Sequence, residues 1–284
     1  MTTAGSGGPP ARSDRHVPVG LVVAVVWLVA VTLAALVAPL LPLTDPDVDA
    51  GAGLRVPPFE LWSHPLGTDA FGRDLLSRVV YGARVSLAAA GASVGIALVI
   101  GLALGILAGY FRGTIDHLLG LFFDTVLAFP GLILLLALGA VLRPGLRTIV
   151  LGLSIIAFPP FARLARAGTL RVAEAEFVLA ARGLGARNRT LLSREILPAV
   201  APPVLAYAAA IMAVLVIVEA SLSFLGLGVP VPRPSWGNMI AEGRGYLQAS
   251  PHLVFVPAGA LVLTILALST IGEWLRSRAD AGRP

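Results

Sequence analysis

Apolar residues gather in this chain into six long blocks, at about 17–41, 85–110, 117–142, 146–164, 202–225 and 252–275, separated by more polar stretches. A helix needs about 20 apolar residues to cross ~30 Å of hydrocarbon, and a lipid-facing backbone must satisfy its own hydrogen bonds. The pattern therefore predicts an all-α integral membrane protein with six transmembrane helices. Pro130 in the third block and Pro159-Pro160 in the fourth predict kinks. The first block follows Arg12, Arg15 and His16. A secretory signal also starts basic, but its apolar region is only about 7–15 residues long. Residues 17–41 are thus expected to remain as a first span, behind a disordered Gly-, Ser- and Pro-rich tail over 1–16.

Composition agrees with a membrane setting. The chain is 57% hydrophobic and 13% charged, with a mean hydropathy of +0.87, whereas soluble domains carry roughly 25% charged residues. It has no cysteine, which excludes disulfides and thiolate metal sites. All 21 basic residues are arginine. Without lysine the chain cannot hold a standard Walker A phosphate loop or perform Schiff-base chemistry. A net charge of +5 is too small and too localised to predict a nucleic-acid partner. The histidines, at 16, 64, 117 and 252, show no metal-ligand spacing, so no metal site is expected and they read as interface residues.

Arginine placement sets the expected orientation. With a cytoplasmic N-terminus, six spans return the C-terminus to the cytoplasm, with 276–284 as a short tail. Inner segments then hold Arg12, Arg15, Arg112, Arg276, Arg278 and Arg283, and the segment between spans four and five adds Arg163, Arg166, Arg171, Arg182, Arg187, Arg189 and Arg194. That puts thirteen of the 21 arginines inside. The extracytoplasmic stretch 42–84 dilutes its arginines with Asp45, Asp47, Asp49, Glu60, Asp69 and Asp74. Its acidic first half and Pro57-Pro58 predict an ordered, irregular loop, and GTDAFGRDLLSR predicts an interfacial helix capped by Asp69.

Within the spans, Gly91 and Gly95, and then Gly101, Gly105 and Gly109, recur every four residues. Such small-residue ridges allow close helix packing, in the bundle or with a partner subunit. Asp124 and Glu219 fall inside the third and fifth blocks. A charge at mid-bilayer costs ~2.5–3.5 kcal/mol even on insertion scales. Each must therefore line a translocation path or form an interhelical contact.

The stretch EFVLAARGLGARNRTLLSREILP, residues 176–198, is more than a basic loop. Glu174 and Glu176 complement the positive end of a helix. Phe177, Ala180, Ala181 and Leu184 form one apolar face at helical spacing. Gly183 and Gly185 end that helix, and Asn188 is a candidate cap for a second one that runs into Leu197-Pro198 at the membrane surface. The reading is a helix–turn–helix docking element within 165–198.

This stretch resembles the cytoplasmic motif of importer-type ABC permeases, E-A-A, three residues, G, nine residues, I, one residue, L-P. Ala180-Ala181, Gly185 and Leu197-Pro198 keep that spacing, while Leu179 replaces the acid and Glu195 the isoleucine. HPLGTDAFGRDLLSRVVYGARVSL at 64–87, DTVLAFPGL at 124–132 and EASLSFLGLGVPVPRPSWGNMI at 219–240 are similar to segments of the "C"-type permease subunits of oligopeptide, dipeptide and nickel importers. The resemblance spans about 17–276. It implies a type I ABC importer permease fold, with the permease core over 85–275, in the cytoplasmic membrane. It also implies a non-catalytic translocation subunit for di- or oligopeptides, with nickel or metal chelates and glutathione-like compounds as alternatives.

The implied partners are a "B"-type permease, two ATPase subunits that use ATP and magnesium, and an extracytoplasmic binding protein. This chain itself is expected to bind no cofactor. The ATPase contact falls to Glu176, Ala180, Ala181, Gly185, Leu197 and Pro198. Two rivals are weaker. An intramembrane enzyme needs a serine and a histidine facing each other in the bundle, and no histidine falls at mid-span. A secondary transporter is expected to show inverted repeats, and none is clear.

Overall fold

The computed structural model describes residues 18–281, so the tail 1–16 with Arg12, Arg15 and His16, and Arg283, lie outside it. Ten α-helices run in chain order among the described residues: α1 Val19–Val37, α2 Leu75–Phe111, α3 Gly113–Ala128, α4 Gly131–Val141, α5 Leu146–Val172, α6 Glu176–Gly183, α7 Asn188–Thr190, α8 Leu197–Phe224, α9 Trp236–Gly243 and α10 His252–Ala281. Five are long and apolar enough to cross a membrane, namely α1, α2, α5, the α7–α8 stretch and α10; the bent pair α3–α4 makes a sixth if it is one span.

Three boundaries differ from the sequence reading. The second helix starts at Leu75 rather than near 85, and no separate interfacial helix precedes it. Asp74, not Asp69, caps it, accepting from the Ser77 amide at 2.8 Å. Asp69 instead closes a turn, accepting from the amides of Phe71 and Arg73.

The third block is not one straight helix. It bends by 83° between α3 and α4. Phe129 is extended there (φ −78°, ψ 129°), as a residue before proline prefers, and Pro130 opens α4 without an amide to donate. Pro159 and Pro160, by contrast, lie inside an uninterrupted α5.

The fifth span also starts early. A π-helical segment, Leu191–Ile196, joins α7 to α8, so one helical run covers Asn188–Phe224. Pro198 lacks an amide and its ring crowds the carbonyl of residue 194. The wider turn of the π segment includes Arg194 and lets the helix pass through Leu197-Pro198 instead of stopping there.

The main core lies among α2, α5, α8 and α10, with Phe123 of α3 and Phe158 and Phe161 of α5 at its centre. Gly101 and Gly105 of α2 and Ala162 of α5 show why these two helices lie so close. A Cβ on Gly101 would stand 2.6 Å from the Phe161 Cβ, and one on Gly105 2.7 Å from the Ala165 Cβ. Gly109 meets Thr169 in the same way. Gly91 and Gly95 do not continue this seam: Gly91 has only Met212 near, and Gly95 has nothing within 4 Å. We expect Gly105→Leu to cost about 3 kcal/mol through forced separation of α2 and α5. Gly95→Leu is expected to change stability by under roughly 0.5 kcal/mol. Thermal unfolding of the two variants in mild detergent, compared with the parent chain, checks the contrast.

At the end of the bundle that carries residues 42–84, α9 wedges against α2 and α10 through Trp236 and Met239. The Trp236 indole donates to the Val79 carbonyl at 3.1 Å. Ser235 and Asn238 cap α9 reciprocally, and Gly237 sits directly on Ala220 and Ser223 of α8, where a Cβ would stand 2.8 Å from the Ser223 Cβ.

Candidate functional site

The docking segment is a compact hairpin. α6 begins at Glu176 and ends at Gly183; Gly185 follows with φ +85°, in the left-handed region that glycine tolerates. The cap position of the second helix is Arg187, not Asn188. Asn188 opens that helix, and its Oδ1 accepts from the Tyr110 hydroxyl at 2.7 Å. The same end of α2 holds the hairpin again where Arg112 meets Glu174 at 2.7 Å and where Arg182 lies 5.5 Å over the Tyr110 ring.

The hairpin is anchored by a residue that the sequence pattern passed over. Val178, Leu191 and Ile196 are fully buried. Of the predicted apolar face, Phe177, Ala180 and Leu184 are exposed and Ala181 is half-buried. Leu184 is 91% exposed and the neighbouring Leu179 about half exposed. Glu176, Gly185, Leu197 and Pro198 are exposed too. The hairpin therefore presents apolar side chains and arginines outward from one end of two long helices.

The two intramembrane acids occupy different settings. Glu219 is fully buried in α8; one carboxylate oxygen accepts from the Ser223 hydroxyl at 2.7 Å, and the other has no partner among the described residues. Its one hydrogen bond is therefore within α8, four residues along the same helix. Asp124 of α3 forms an ion pair with Arg163 of α5 and stays open, the side chains being 64% and 55% exposed. One turn along α5, Arg166 grips Asp116 through Nε and Nη2, with Nη2 to Oδ2 at 2.6 Å. The partners of both acids were invisible in sequence, being 39 and 50 residues away.

A third charged group lies at the end of the bundle that carries residues 42–74. Arg78, 1% exposed, reaches Asp69 at 3.2 Å and Glu242 at 3.0 Å and donates to the carbonyls of Pro46 and Pro232. Arg73 bridges the same two acids at 2.6 and 2.7 Å. His64, expected at an interface, is buried and lies 3.0 Å from Asp74.

Residues 101–282 match the family described as "Binding-protein-dependent transport system inner membrane component". The chain is 36% identical over 261 residues to the dipeptide transport system permease protein DppC of Alkalihalophilus pseudofirmus, covering 90% of this chain and 85% of that one. It is 39% identical over 218 residues to the glutathione transport system permease protein GsiD of Pectobacterium atrosepticum, covering 77% and 72%. Among solved structures, an inward-facing conformation of the MetNI methionine ABC transporter aligns with a TM-score of 0.60 at 21% identity. That alignment covers 72% of this chain and 97% of the other, and it shows a shared fold.

Proposed function

Because the chain belongs to the family of binding-protein-dependent transport system inner membrane components, we propose that it is a permease subunit of an ABC importer for di- or oligopeptides. It is a multi-pass protein of the cytoplasmic membrane. In this reading the bent α3–α4 pair counts as the third of six spans, both termini are cytoplasmic, and residues 42–74 lie outside with α9. A "B"-type permease completes the pathway, a binding protein delivers substrate from outside, and two ATPase subunits hydrolyse ATP with magnesium. This chain contributes no catalytic group. The similarity to glutathione permeases supports a second substrate, a glutathione-like tripeptide, through the same machinery.

One observation carries the proposal. The hairpin 176–198 holds Leu184 almost fully in the open beside Phe177 and Leu179, with arginines around them. Exposed apolar anchors rimmed by polar groups mark a protein contact, and the lysine-free chain needs a motor from another polypeptide. The absence of cysteine makes the orientation testable. A membrane-impermeant maleimide is expected to label a Leu54→Cys variant in intact cells and an Ala186→Cys variant only after permeabilisation. The reverse pattern, or purification in mild detergent without an ATPase, refutes the proposal.

A further inference from the structure

Between α3 and α5 lies a groove of about 810 Å³, lined by Gly113, Asp116, Gly120 and Asp124 on one side and Arg163 and Arg166 on the other. We propose that this groove is a binding station for the charged ends of a free di- or tripeptide, with Asp124 and Asp116 receiving the ammonium and Arg163 and Arg166 the carboxylate. The inference rests on the transport reading above and names where in this chain the cargo is held.

Three features support it. The first is depth. Asp124 lies eleven residues into α3, about 16 Å along the helix from Gly113, well within a span. An Asp–Arg pair more than half exposed at that depth does not face lipid tails; it meets water, a polar ligand or the partner permease.

The second is shape. Gly113 and Gly120 have nothing within 4 Å where a side chain would stand, so the α3 wall is open along the very face that carries both acids. The volume falls within the roughly 300–1,000 Å³ typical of small-ligand sites.

The third is charge arrangement. Two carboxylates and two guanidiniums balance in charge, with both signs at each of two levels, and His117 lines the groove beside Asp116. Asp116 and Asp124 are about 12 Å apart along α3. An extended dipeptide spans about 7 Å and a tripeptide about 10 Å, short of the distance between the acids' backbone positions, so the aspartate and arginine side chains reach inward to close the remainder. The Asp124–Arg163 pair is open to water; such a pair is held weakly and exchanges readily for the termini of a zwitterion, while the planar fork of arginine suits a carboxylate. The Asp116–Arg166 pair is bidentate and more enclosed, and gives the groove a fixed polar floor.

The test uses the assembled complex in lipid nanodiscs, with a Gly120→Cys variant as the sole thiol in this chain. Modification by a charged methanethiosulfonate is read from the mass of this chain alone. The thiol is expected to react readily. A free dipeptide at roughly ten times its Kd slows the reaction about tenfold, and the same dipeptide N-acetylated and C-amidated does not. Adding Arg163→Gln abolishes protection. Should that variant fail to assemble, Arg163→Lys, which keeps the charge but not the fork, weakens protection instead.

No modification in the assembled complex means that lipid or a partner helix covers the groove, and this overturns the proposal. So do equal protection by the blocked peptide and protection that survives both arginine variants. Dipeptide uptake by the parent complex in vesicles runs alongside. Uptake without protection sinks the groove alone, whereas no uptake by the parent complex sinks the peptide-import reading with it.

Discussion

Replacing Arg78 with alanine is expected to destabilise the chain by about 3–5 kcal/mol, the range for removing one partner from a buried ionic group. Arg78 is enclosed, and its guanidinium serves Asp69, Glu242 and two backbone carbonyls at once. Without it, Arg73 alone faces two carboxylates, and the carbonyls of Pro46 and Pro232 lose a donor. Arg78→Lys is expected to rescue little, since an ammonium at the end of a flexible stem cannot reproduce a planar fork with several fixed donors. The loss has a local signature. The 42–74 loop is held to α2 and α9 through this group, so trypsin is expected to cleave faster at Arg55, exposed near its middle. A melting temperature and an Arg55 cleavage rate equal to those of the parent chain contradict the account.

The second large effect concerns coupling rather than stability. Truncating Phe177 and Leu184 together to alanine is expected to weaken capture of the ATPase by about 30-fold or more, the scale of losing roughly 2 kcal/mol at interface anchors. Folding is untouched, because both side chains are exposed while Val178, Leu191 and Ile196 hold the hairpin to the bundle. Substrate-stimulated ATP hydrolysis and uptake fall together in the reconstituted complex, and the melting temperature of the chain alone stays put. Val178→Asp gives the opposite pattern, a misfolded hairpin and a lowered melting temperature. If the double alanine variant still retains the ATPase fully, the outward face of the hairpin is not its grip.

How much of this could be read from residues alone depends on the range of the interaction. Hydropathy runs are local, so the spans were legible, as was the hairpin around Gly183 and Gly185, where the turn is written in two glycines with one residue between them. The small-residue ridge was legible as a ridge, but only neighbours in space separate Gly101, Gly105 and Gly109, which meet α5, from Gly95, which meets nothing. Helix starts were misjudged where apolar content and helix formation diverge. Residues 75–84 are polar enough to look like loop, yet Asp74 caps them and Trp236 covers Gly82. At the other boundary, Leu197-Pro198 looked like an end because a π turn is not visible in composition.

The charged side chains were the hardest to place. Arg73 and Arg78 were counted as ordinary outer-loop charges, and their shared partner Glu242 lies more than 160 residues away. Asp124 was legible as costly and not as paired. On the hairpin, periodicity found the exposed apolar face and passed over Val178, because one buried valine among exposed neighbours leaves no periodic trace.

The unbroken course of the helix from Asn188 to Phe224 has a mechanical consequence. At 1.5 Å per residue it is about 55 Å long, joined at one end to the hairpin and seated at the other on α9 through Ala220, Ser223 and Gly237. A rigid tilt of about 5° at one end displaces the other by about 5 Å over that length. In the proposed orientation a push on the hairpin reaches α9 along this one helix by leverage, and the π turn at Leu191–Ile196 and Pro202-Pro203 are the places where it can flex.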